Sequence, residues 1–257
     1  MKEEPVFWLL LGVLALSVGS FLNVVIYRLP RMILQPRPGF SLMRPPSHCP
    51  CCAAPVWRRD RIPLLSWLLL GGRCRHCRQT ISWHYPATEA ASAALALLLA
   101  LRLPWDGALL ALLLLSAWLL ALSLIDLRWQ LLPDSLTLSL LWLGLLFQAS
   151  GTLPHSDPAG AIVGAAGGYL LFWLLAWAYR SLRQREGLGG GDAKLLAALG
   201  AWLGWEKLPL LLLIAASAAL SAVLLARLLM RRPCSQPLPF GPCLALAGAL
   251  LLLHVPG

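Results

Sequence analysis

The chain has 257 residues, of which 59% are hydrophobic and only 12% charged, and its mean hydropathy is +0.72. These values exclude an ordinary soluble domain and point to a polytopic membrane protein. The formal charge of +10 does not indicate nucleic-acid binding, because the basic residues cluster beside the ends of apolar runs, which is the topology signal of membrane proteins.

Residues 7–27 form the first apolar run. No small-residue cleavage site follows it, whereas Arg28, Arg31 and Arg37 do, so it is a retained span rather than a signal peptide. The one sizeable polar region, 28–85, comes next and carries two C-x-x-C pairs, Cys49-Pro50-Cys51-Cys52 and Cys74-Arg75-His76-Cys77. Their separation suits a two-knuckle zinc site. Four protein ligands close the coordination shell, so the expected zinc is structural, held by Cys49, Cys52, Cys74 and Cys77. Cys51 leaves ligand identity open, and His48, His76 and His84 are possible substitutes. Cys234 and Cys243 stand apart.

Further spans are expected at 86–103, 107–127, 135–150, 159–179, 193–204, 208–230 and 240–255. Pro86 suits the first turn of the second helix, and Glu89 is expected to complement that helix's dipole. The segment 193–204 is short: twelve helical residues rise about 18 Å against about 30 Å of hydrocarbon. With 28–85 in the cytoplasm and every segment crossing, 18 of the 21 Lys and Arg lie inside and only Lys2, Arg102 and Lys207 face out. Both termini then face out. The expected fold is an all-α polytopic membrane protein of about eight transmembrane helices with a small zinc-binding cytoplasmic loop domain. No internal repeat is visible.

Four acids sit at or near span ends on the cytoplasmic side: Glu89, Asp126, Asp134 and Asp192. Acids at this depth are costly and mark functional sites. Asp134, after Pro133, is placed to cap the fourth helix. Asp126 closes the third span, and Asp192 opens the sixth, behind Gly189-Gly190-Gly191, whose bare backbone would let a substrate chain approach. Two adjacent carboxyls share a proton, so one can act as base on a water while the other acts as acid. Such a pair hydrolyses a peptide bond without a metal. A helix cap at Asp192, an ion-coupled carrier, or a salt bridge to Lys194 or Arg128 would use the same acids. A carrier is disfavoured because no two related halves with interrupted helices are present.

Taken together, these residues resemble the type IV prepilin peptidases. The similarity covers Ser20 through Pro30, the cysteine tetrad, and Ile81 to Pro86 with Glu89. It continues through Ile125-Asp126 to Pro133-Asp134, the G-x-G-D segment ending at Asp192, and Pro239-Phe240-Gly241-Pro242. The resemblance implies a bifunctional enzyme. It would cut a short basic leader from prepilins or type II secretion pseudopilins after a glycine, at the cytoplasmic face of the bacterial inner membrane. It would then methylate the new N-terminal residue with S-adenosylmethionine. It further implies Asp126 and Asp192 as the catalytic pair, and Gly72-Arg73 as methyl-transfer residues, with Arg73 where the family often has lysine. The implied division is a first helix 1–27, a methyltransferase-linked zinc domain 28–85 and a transmembrane aspartyl peptidase domain 86–257. A protease without methyl transfer stays open, since no glycine-rich cofactor loop of a soluble methyltransferase is present. Asp60, Asp134, Glu89 and Glu186 are candidates for contacting the leader.

Overall fold

The structure, a computed structural model, describes residues 5–153, 155–183, 189–230 and 239–253. Lys2, Arg185, Glu186, Gly187, Leu188, Arg231, Arg232 and Cys234 lie outside the described residues. The chain divides into two compact units, 1–117 and 118–257.

In the first unit, α1 (Pro5–Leu34) packs against α3 (His84–Arg102). A methyl group at Gly19 would come within 2.8 Å of Glu89 Cα and 2.9 Å of Ser92 Cβ, so only glycine lets these helices close at that point. Ser92 Oγ donates to Ala15 O at 2.9 Å, and Asn23 Nδ2 donates to Tyr85 O at 3.0 Å. Such small-residue approach and interhelical hydrogen bonding hold helices together in lipid, where apolar transfer contributes little. Between them lies the polar region, with a 3-10 turn (Arg58–Arg61) and the short α2 (Leu65–Leu69). Among the described residues there is no strand, only isolated bridges. Arg28 is more than a topology charge. It is buried, and its guanidinium donates to the carbonyls of Ser41, Leu42 and Pro45 at 3.1, 3.2 and 2.7 Å, pinning the loop to the end of α1.

Helix α4 (Gly107–Trp129) begins in the first unit and ends in the second. The second unit continues with α5 (Asp134–Ala149), α6 (Pro158–Arg183), α7 (Gly190–Leu203), a 3-10 turn (Trp205–Lys207), α8 (Leu208–Met230) and α9 (Gly241–Leu253). At its centre is α7, packed by α5, α6 and α9. Ala193 and every residue from Leu195 to Leu203 are buried. Gly164 and Gly168 of α6 meet the backbone of Gly200 and Leu196 with no room for a side chain. Trp202 Nε1 donates to Leu140 O at 2.9 Å, and Gln148 Nε2 donates to Trp202 O at 2.9 Å. The shortness of α7, ~21 Å for fourteen residues, therefore belongs to a helix sheathed by its neighbours.

Each expected span coincides with a helix. Among the described residues, four are long and apolar enough to cross a membrane: Pro5–Leu34, Gly107–Trp129, Pro158–Leu182 and Trp205–Leu225. The shorter α5 and α9 are apolar as well.

Candidate active site and metal centre

Asp126 lies three residues before the end of α4 and is 6% exposed. The helix is closed by Gln130, whose N–H donates to Asp126 O at 2.9 Å and whose φ of +49 turns the chain. The turn delivers Leu132 to a meeting point. A Cβ at Gly191 would lie 2.8 Å from Leu132 Cβ, and one at Gly241 would lie 3.3 Å from Leu132 Cδ2. The first turns of α7 and α9 thus converge on the end of α4. Gly241 N–H donates to Asp126 Oδ2 at 3.0 Å, and a Cβ there would stand 2.6 Å from the same oxygen. Asp192, directly after Gly191, is near enough for the Asp126 charge to act on its carboxyl.

Asp192 is the third residue of α7; Gly189, in extended conformation, caps that helix without a side-chain bond. The three glycines differ. Gly189 lies beside Asp192 Oδ2, Gly190 faces open space, and Gly191 is pressed against Leu132.

Two other acids, one in each unit, have partners that local rules did not foresee. Asp134 makes no side-chain cap; Pro133 is the N-cap of α5, and Asp134 Oδ1 accepts Lys194 Nζ at 2.6 Å. Lys194 is thereby committed to Asp134 rather than to Asp192. Glu89 is the sixth residue of α3, past its first turn, and its Oε2 accepts the Leu64 N–H at 2.8 Å. It holds the start of α2 instead of complementing the α3 dipole.

In the first unit, Cys49, Cys52, Cys74 and Cys77 bring their sulfurs within 4.8 Å of one another. Cys49 Sγ and Cys77 Sγ are 3.7 Å apart. Tetrahedral zinc with Zn–S bonds of about 2.3 Å implies a separation of about 3.8 Å, so the donor set fits. Cys51 is exposed and outside the cluster, as are His48, His76 and His84. Backbone N–H groups of Cys52 and Cys51 lower the Cys49 thiol to about 6. Cys77 receives a backbone bond from Gln79, but desolvation and the crowding sulfurs of Cys52, Cys74 and Cys49 push it up to about 12. Four thiolates gathered here would need a cation, and a divalent ion would supply the missing charge.

The two knuckles are built alike. Ala53 N donates to Cys49 O and Arg78 N to Cys74 O, at 2.9 and 3.0 Å. Cys49 N donates to Ala54 O and Cys74 N to Gln79 O, at 2.9 and 2.8 Å. Ala53 and Arg78 share a positive φ, of 56 and 60. The bridges His48–Pro55 and Arg73–Thr80 close both turns in the same register. A local repeat is therefore present where the sequence shows none.

The profile described as Bacterial Peptidase A24 N-terminal domain matches residues 13–103, and that described as Type IV leader peptidase family matches residues 113–224. A protein of Pectobacterium carotovorum subsp. carotovorum is 48% identical, over 95% of this chain and 92% of its own length. One from Dickeya chrysanthemi is 48% identical, over 98% and 95%. A third, from Aeromonas hydrophila, is 45% identical, over 93% and 88%. All three are named prepilin leader peptidase/N-methyltransferase. The chain belongs to the type IV leader peptidase family. No solved structure matches it.

In this chain, Gly72 has a φ of +66, and a Cβ there would stand 2.9 Å from the Trp67 ring. Its neighbour Arg73 is exposed. Sequence reasoning passed over Leu132, and it noted Glu89 and Arg28 as charges without finding the loop contacts they make. Gly241 carried a signal only as part of Pro239-Phe240-Gly241-Pro242, not as a partner of Asp126.

Proposed function

We propose that this chain removes the leader peptide of prepilins or type II secretion pseudopilins with Asp126 and Asp192, and then methylates the new N-terminal residue. The names of the relatives support both activities. The observation that carries the reading is the convergence of α4, α7 and α9, which gathers two acids, a carboxylate-bound backbone N–H and the open backbone at Gly190 in one place. One carboxyl accepts a proton from water as it attacks the scissile carbonyl, and the other protonates the leaving amine. The Gly241 N–H orients Asp126 and stabilises its charged form. Of Gly189, Gly190 and Gly191, an extended substrate segment would lie along the first two, because Leu132 already covers Gly191.

Cys49, Cys52, Cys74 and Cys77 hold one structural zinc that fixes the polar region. S-adenosylmethionine supplies the methyl group. Arg73 is open to contact it, while Gly72 serves the fold by seating Trp67. The working division is a helix 1–27, a methyl-transfer-linked zinc domain 28–85 and a peptidase domain 86–257. The enzyme resides in the bacterial inner membrane, with the zinc loop and both aspartates on the cytoplasmic side and the N-terminus outside, an orientation supported by the arginines of 28–85.

Asp126→Asn and Asp192→Asn test the pair. Each variant should insert normally yet leave a prepilin uncut, and normal processing by either one would remove that residue from the chemistry.

A further inference from the structure

The geometry points to a lipid-binding face on the first unit, independent of the peptidase reading: the exposed leucines of α2, flanked by arginines, sit in the interfacial layer of an anionic bilayer. Leu65, Leu68 and Leu69 fall on one face of α2 and are 49%, 64% and 78% exposed. Trp67 lies on the opposite face, seated over Gly72 with its Nε1 donating to Ile81 O at 3.3 Å. Ser66 is buried and donates to Arg59 O at 3.0 Å. The helix thus turns its polar and aromatic side inward and its leucines outward, an arrangement that is costly in water and favoured at a membrane interface.

Two further observations select lipid over another partner. The first is depth. The Leu64 N–H, at the start of α2, is held by Glu89, five residues into α3, ~7 Å along its axis. Glu89 in turn packs on Gly19, fifteen residues before the end of α1. The leucine face is therefore tied to the α1–α3 pair at the level of Glu89 and Gly19 rather than at the tip of the loop. The second is charge. The region 28–85 holds ten arginines and a single acid, Asp60. That acid is consumed by Arg75, with bonds of 3.0 and 2.7 Å. Arg59, whose guanidinium lies over the Trp57 ring, Arg61, which donates to Val56 O, and Arg73 flank α2 in the chain and are exposed. A basic peptide would be repelled by this surface, whereas phosphate headgroups complement it.

The test uses the full chain with zinc in nanodiscs and a photoreactive benzoylphenylalanine in place of Leu69, with a second variant labelled at Gln79 in the distal knuckle. Mass spectrometry reads the adducts. Phospholipid adducts should form at position 69, be at least several-fold weaker at position 79, and fall several-fold when phosphatidylglycerol is replaced by phosphatidylcholine. Retained zinc in both variants shows that the loop is folded. Adducts at position 69 to protein alone, or none, overturn the proposal. So do equal lipid yields at the two positions, or yields indifferent to headgroup charge.

Discussion

Asp126 depends on a residue 115 positions away. The Gly241 N–H holds its carboxylate, and the missing side chain of Gly241 leaves that oxygen its space. Gly241→Ala should therefore lower the rate of prepilin cleavage by about a hundredfold, as displacements of about 1 Å at reacting groups do. Asp126→Asn and Asp192→Asn should each cost about 10²- to 10⁴-fold, the usual share of general acid–base catalysis. Cleavage rates measured on membranes containing equal amounts of inserted enzyme would check all three. The aspartates were legible in the sequence because acids at helix ends in an apolar chain stand out. Their supports were not, since a backbone donor carries no side-chain signature. Asp134 and Glu89 were misassigned for a related reason. Capping logic looks a few residues along the chain, whereas their partners, Lys194 and Leu64, arrive from 60 and 25 residues away.

At the scale of elements, the C-x-x-C spacing announced the four-cysteine cluster, but the repeat between its knuckles was hidden. Outside the cysteines, the matched positions share backbone geometry rather than residue type: His48 with Arg73, Ala53 with Arg78. Ala53 and Arg78 occupy a left-handed conformation that costs roughly 1–2 kcal/mol for a residue with a Cβ. Ala53→Gly should recover up to about 1 kcal/mol of that, read as a higher chelator concentration for half-removal of zinc. Zinc affinity should weaken as the pH falls through about 6, where even Cys49 takes up a proton. In the second unit, α7 looked too short to be a full span, and the sequence could not show that α5, α6 and α9 enclose it. Gly160, Gly164 and Gly168 recur every four residues, the small-residue interval of packed membrane helices. Gly164→Leu should push α6 off Gly200 and destabilise the second unit by several kcal/mol, in the range of overpacked cores or beyond. A shifted unfolding transition in detergent would report it.

Among the described residues, the order of the long helices was readable because apolar runs mark them, whereas the short α2 was not. How those helices meet was not readable, because the contacts are made by glycines and main-chain atoms. If the polar region serves methyl transfer and the later helices serve cleavage, Cys49→Ser should lower bound zinc and lose methylation before it loses cleavage. The measurement that bears most directly on the central claim is the mass of a prepilin incubated with the reconstituted enzyme and S-adenosylmethionine. The native chain should yield a leaderless product heavier by one methylene, and the Asp192→Asn chain should return the prepilin unchanged. A leaderless product from the Asp192→Asn chain, or an unmethylated one from the native chain, would contradict the account.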